Sequence, residues 1–149
     1  MKIKRAVFDW KRTLYDLESG ELIRGTLELL NFLRIEKVPM ILIGKGGEDM
    51  QAEVERLGVL VFFENTLFAE GKKDPEVFKK YLTPDPKETL FIGDRVRSEL
   101  EIGNKLGATT IWIKQGKFSE ELPENELQKP TYTTVSLPAC LELIKGSLN

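Results

Sequence analysis

Histidine is absent from this 149-residue chain, and cysteine occurs once, as Cys140. Without histidine there can be no Ser-His-Asp triad and no Cys/His zinc site, and a single cysteine excludes an intramolecular disulfide. Long apolar runs are missing too. The stretches at 40–43 and 59–63 fall far short of the roughly 20 residues that span a bilayer, and the N-terminus lacks the apolar segment of a secretory signal. Neither charge dominates: 22 Lys and Arg against 24 Asp and Glu leave −2 at pH 7, giving no overall attraction to nucleic acid or anionic lipid. The expectation is a cytoplasmic protein binding neither nucleic acid nor membrane, whose chemistry runs on carboxylates, lysines, hydroxyls or a hard cation.

What is present suits one globular domain over residues 1–149. Apolar residues make up 41% and charged residues 31%, enough for a real core and too apolar for disorder. Three glutamines and 33 Lys plus Glu resemble a heat-adapted, thermophile composition.

The chain alternates between two rhythms. Residues 3–8 read as a buried strand, and 26–36 as a helix with an apolar face at 27, 29, 30, 32, 33 and 35, with Thr26 as N-cap. A second strand in VPMILIGKGG closes on glycines. The helix from Glu48 ends at Gly58, and VLVFF, residues 59–63, is expected as the third strand. Asp74 and Pro75 cap the helix PEVFKKYL, TLFIG is a fourth strand, 98–106 a helix, TTIWI a fifth strand, and TYTTV with LPACLELIK a short last strand and closing helix. Residues 114–130 read as the mobile loop. Strands separated by helices imply parallel pairing through right-handed crossovers. The expected class is α/β: a three-layer α/β/α sandwich around a Rossmann-like, mostly parallel sheet of five or six strands.

In such a sheet, ligands sit outside the carboxyl ends of the strands, where strand order reverses. The polar residues there are Asp9, Lys11, Arg12 and Thr13 after the first strand, Gly44, Lys45, Gly46 and Gly47 after the second, and Asp94, Arg95 and Glu99 after the fourth. Lys72 and Lys73 precede the helix before that fourth strand. Acids with several cations at one edge suit a divalent metal and a phosphoryl group, since oxygen ligands hold Mg²⁺ and ammonium groups offset phosphate charge.

These residues resemble the haloacid dehalogenase (HAD) superfamily of aspartate-nucleophile hydrolases. FDWKRTL is similar to its first motif, GKKDPEVF to its third, and FIGDRVRSELEIGNKLGATTIWI to its fourth motif and the helix and strand after it. The resemblance implies Asp9 as nucleophile, Thr13 and Lys72 as phosphate-binding residues, and a Mg²⁺ site formed by Asp9, the backbone carbonyl of Lys11, Asp94 and Glu99.

Two positions depart from the family pattern. Phosphatase members place an acid/base aspartate two residues after the nucleophile, where this chain has Lys11. The second strand ordinarily ends in a hydroxyl residue that binds the phosphoryl group, where this chain has Gly44. Lys11 either donates a proton as a lysine of lowered pKa or pairs with Asp9 and Asp94 in the metal's place. GKGG, with Gly44 and Lys45, either forms a backbone nest for phosphate or is a tight turn.

Only 34 residues separate Asp9 from Gly44 and 27 separate Gly44 from Lys72, too few for a cap domain. The resemblance then implies an open site, for a phosphorylated small molecule or macromolecule, or one closed by another subunit in a homo-oligomer. Phe62, Phe63 and Phe68, if exposed, would make that contact. Two functions are expected: a weak or altered Mg²⁺-dependent phosphatase, or a catalytically silent HAD-fold protein that binds a phosphorylated ligand or a protein partner.

Overall fold

The computed structural model describes residues 2–71 and 74–148. Its strands are β1 (Arg5–Asp9), β2 (Tyr15–Asp16), β3 (Glu21–Leu22), β4 (Met40–Lys45), β5 (Asn65–Ala69), β6 (Thr89–Gly93), β7 (Thr109–Ile113) and β8 (Tyr132–Thr134). Its α-helices are α1 (Thr26–Ile35), α2 (Glu48–Arg56), α3 (Pro75–Lys79), α4 (Glu99–Lys105) and α5 (Leu137–Leu143). Six strands form one parallel sheet in the order β5-β4-β1-β6-β7-β8. The expected Rossmann-like sandwich is the one observed.

Period-two alternation assigns the two sheet faces. Phe8, Leu42 and Ile92 point into a core with Leu29, Leu30 and Leu33 of α1, Val54 of α2, and Leu137 and Cys140 of α5. Val7, Ile41 and Phe91 point the other way, against Phe78 of α3 and Leu100 of α4. Each such buried Leu or Phe contributes roughly 1.5–3 kcal/mol of transfer free energy. On the second face, Gly103 lets α4 sit close to the sheet, since a Cβ there would fall 2.9 Å from both Phe91 and Thr110 side chains.

Several expectations need correction. Residues 59–63 are not a strand: Leu60–Phe62 is a 3₁₀ turn that buries Val59 and Phe63 and leaves Val61 72% exposed. The strand is the less apolar NTLFA of β5, because an edge strand pairs on one side only and stays half exposed. Thr26 is not the N-cap of α1. Gly25, at φ 95, holds that position, and the Thr26 hydroxyl instead donates to the Leu14 carbonyl at 3.2 Å. Asp74 does cap α3, accepting from Glu76 N–H at 3.0 Å, but the helix stops at Lys79. The hairpin of β2 and β3 was not expected.

The polar segment after β7 is tied down by side chains. Arg97 donates to the Leu122 carbonyl at 2.9 and 2.6 Å, and Asn104 donates to the carbonyls of Leu127 and Lys129 at 2.7 and 2.8 Å. Gln128 is buried. No helix among the described residues is long and apolar enough to cross a membrane.

Candidate active site

Asp9 ends β1 and Asp94 follows the last residue of β6, the strand beside it. Strand order reverses about β1, with β4 and β5 on one side and β6, β7 and β8 on the other. Both acids therefore stand at the carboxyl edge of the switch point, the place where open α/β sheets bind ligands.

A tight turn brings Thr13 back to them. The Trp10 carbonyl accepts from the N–H groups of Thr13, Leu14 and Tyr15 at 3.3, 3.0 and 3.0 Å, and Arg12 takes a left-handed φ of 66°. Gln115 secures the turn, its Nε2 donating to the Arg12 and Thr13 carbonyls at 3.2 and 3.4 Å. The fully buried Thr13 hydroxyl lies 3.3 Å from Asp9 Oδ2 and 3.3 Å from Asp94 Oδ1. It has one proton and can serve one carboxylate at a time.

Glu99 completes the group from the first turn of α4. Ser98 Oγ donates to its Oε1 at 3.0 Å. Gly93 lies between the acids: a Cβ there would stand 3.5 Å from Glu99 Oε2 and 3.7 Å from Asp9 Cβ, in ordinary contact with both. The Trp112 indole N–H, donating to the Asp94 carbonyl at 2.9 Å, fixes the backbone there. Both Trp112 and Trp10 are buried, as packing groups should be.

Burial pushes the Asp94 carboxyl up to about 6, with the Glu99 charge adding to the rise, while contacts with Asp9 and Thr13 act in the lowering direction. Asp94 Oδ2 is buried without a hydrogen-bond partner among the described residues. A crowded set of oxygen donors with one unspent buried acceptor is the chemistry a hard divalent cation answers. Among the described residues no three acid or thiol side chains stand close enough together to hold a metal ion by themselves.

Asp9, Lys11, Arg12, Lys45, Asp94, Arg95, Ser98, Glu99 and Phe118 line one cleft of about 210 Å³. The other expected site residues are distributed unequally around it. Lys11 is half-buried, but among the described residues no ion pair joins it to Asp9 or Asp94; its charge is felt instead by Asp49 at the start of α2. Lys45 reaches the cleft. Gly44 does not line it: the space beyond its Cα is filled by Phe68, whose Cε1 would be 2.8 Å from an added Cβ, and by Trp10 Cβ at 3.1 Å. Lys72 and Lys73 lie outside the described residues.

Of the two readings of GKGG, the tight turn is the one observed. Gly46 N–H donates to the Ala69 carbonyl at 3.3 Å and Gly47 N–H to Asp49 Oδ1 at 3.1 Å. The backbone N–H groups of Gly47 and Met50, with a smaller effect from Lys11, hold the Asp49 carboxyl below its ordinary range. GKGG is a self-bonded turn.

The structure gives three residues surroundings that the sequence did not show. Arg95, placed at the sheet edge by the sequence, lies 4.1 Å from the Phe118 ring centroid and donates twice to Glu121 Oε2, at 3.1 and 2.8 Å. Phe118 sits in the irregular segment and carries no signal of its own. Phe68 was read only as a packing or contact group, and its opposition to Gly44 depends on a strand register that begins two residues past VLVFF.

The HAD-hydrolase-like family model matches residues 69–140. A glyceraldehyde 3-phosphate phosphatase of Pyrococcus furiosus is 32% identical over 100 residues, covering 62% of this chain and 41% of that protein. The chain thus matches less than half the length of that relative. In fold, the L-2-haloacid dehalogenase RSc1362 superposes with a TM-score of 0.79 at 14% identity, covering 98% of this chain and 100% of that one. YfnB from Bacillus subtilis, bound to magnesium, superposes with a TM-score of 0.76 at 15% identity, covering 97% and 98%. Over residues 69–140 the chain is thus similar to HAD-like hydrolases, and over nearly its whole length it shares the fold of these two structures.

Proposed function

We propose that the chain is a Mg²⁺-dependent phosphohydrolase that cleaves phosphate monoesters through an aspartyl-phosphate on Asp9. The observation that carries this reading is the Thr13 hydroxyl set between Asp9 and Asp94 at the switch point, beside a cleft walled by cations. The name of the Pyrococcus furiosus relative supports a small sugar-phosphate-like substrate. An Asp9 oxygen attacks phosphorus and forms the P–O bond as the bond to the leaving oxygen breaks, and water then attacks the same phosphorus, breaking the bond to Asp9 and releasing inorganic phosphate and the free carboxylate. Thr13 orients Asp9 and keeps its second oxygen from rotating. Lys11, on the cleft wall, is the ammonium that gives the leaving oxygen its proton, a role for which the family uses an aspartate. Asp9, the Lys11 carbonyl, Asp94 and Glu99 would hold Mg²⁺, which when bound offsets the charge on the phosphoryl oxygens. Lys72 is assigned to the phosphoryl group by resemblance.

Loss of an ordinary general acid/base costs about 10²–10⁴-fold in rate, so turnover should be slow. The test is hydrolysis of p-nitrophenyl phosphate with Mg²⁺ and with chelator. The wild type should release phosphate only with Mg²⁺, and Asp9→Asn should reduce that release at least a hundredfold. Equal release by Asp9→Asn would refute the assignment of the nucleophile.

A second reading, a silent phospholigand-binding protein, draws on Phe68. It fills the space where a phosphate-binding hydroxyl would project from position 44. Under it, ligand binding survives and phosphate release is absent.

A further inference from the structure

The cleft holds more positive charge than a single phosphoryl group requires. Four cationic side chains, Lys11, Arg12, Lys45 and Arg95, stand against three acids that the proposed metal already engages. Arg95 is neutralised by its two bonds to Glu121. Lys11 is assigned to the leaving oxygen. Arg12 and Lys45 remain, and no carboxylate among the described residues lies within 4 Å of either.

Arg12 is also held in place. Its backbone is fixed in the left-handed region, its N–H donates to Tyr15 O at 2.7 Å, and its carbonyl accepts from Gln115. Strain of this kind persists where the surroundings impose it and clusters at binding sites. Its guanidinium lies 5.6 Å from the Phe118 ring centroid, within cation–π range, on a ring that Arg95 also contacts at 4.1 Å. An arginine so restrained loses less entropy on binding an anion, and its planar donors suit carboxylate and phosphate.

Arg12 lines a second space as well. A groove of about 680 Å³ adjoins the cleft at Arg12 and runs past Leu17, Ile23, Gln115 and Lys117. Two acids also line it: Asp16, which accepts from Glu18 N–H at 3.0 Å and Ser19 Oγ at 3.1 Å within its own turn, and Glu18, which is exposed. A leaving group attached to phosphorus at Asp9 would have to pass Arg12 to enter this groove.

We propose that Arg12, assisted by Lys45, binds a second anionic group on the substrate, so that the preferred substrates are phosphate monoesters whose leaving group carries a carboxylate or a second phosphate. This rests on the phosphohydrolase reading and narrows its substrate class.

The test measures binding by calorimetry in Mg²⁺ with three non-hydrolysable ligands: propylphosphonate, 3-phosphonopropionate and propane-1,3-bisphosphonate. Wild type should bind at least one of the doubly anionic ligands tenfold or more tighter than propylphosphonate, and the tighter of the two identifies the second group. Arg12→Asn, chosen because asparagine tolerates the left-handed backbone, should reduce that preference to under threefold, and Lys45→Met should reduce it in part. Unchanged thermal stability of the variants, Lys45→Met in particular, separates lost recognition from lost structure. Equal binding of all three ligands, or a preference that survives Arg12→Asn, overturns the proposal and leaves the phosphohydrolase reading standing. No binding of any ligand overturns both.

Discussion

Asp94 is the residue on which burial and function pull in opposite directions. Its carboxyl is raised from 3.8 to about 6, chiefly by desolvation and then by Glu99. Between those values the folded chain binds more protons than the unfolded chain, so stability contributed by the neutral form is present at low pH and is lost as pH rises through about 6. A shift of this size corresponds to at most roughly 3 kcal/mol. In chelator-treated protein, denaturant melts should therefore show stability falling from pH 4 to pH 7, beyond the trend of the remaining acids. Asp94→Asn should flatten that fall and raise stability at pH 7, while weakening Mg²⁺ binding measured by calorimetry. An Asp94→Asn variant less stable than wild type at pH 7 would contradict the account of a carboxylate kept ionised at a cost.

At the scale of elements, the pairing of β4 with β5 decides what position 44 can be. The register Gly44↔Phe68 puts an aromatic ring over the glycine, and an added Cβ would approach it to 2.8 Å. Restoring the family's hydroxyl by Gly44→Ser should thus cost about 1–3 kcal/mol of stability, as overpacking does, with no gain in turnover. Gly44→Ser combined with Phe68→Ala should recover part of that loss relative to the sum of the single changes, a coupling read from a double-mutant cycle in urea. Additive effects would show that the ring does not meet the new side chain. The same pairing explains what the sequence concealed: NTLFA is an edge strand with a weak apolar signal, and the stronger VLVFF signal belongs to a turn that anchors Val59 and Phe63 in the core.

For the molecule as a whole, alternation of strands and helices made the layers legible, because buried parallel strands and amphipathic helices leave distinct periods in sequence. Asp9, Thr13, Asp94 and Glu99 were legible through motif spacing, and the sheet brings them together across 81 residues from Thr13 to Asp94. Arg12 was legible as a residue of the sheet edge but not in its left-handed conformation, and Phe68 and Phe118 were not legible as site residues, since a left-handed turn, a strand register and an irregular loop have no periodic signature. The central claim is that this convergence makes Asp9 an acceptor of phosphoryl groups. Its most direct test is ¹⁹F NMR of the protein titrated with beryllofluoride, a mimic of the phosphoryl group on a carboxylate. Resonances of bound beryllofluoride that appear with Mg²⁺, and vanish in Asp9→Asn, are the predicted result. Their absence from wild-type protein shown to bind Mg²⁺, or their persistence in Asp9→Asn, would contradict it.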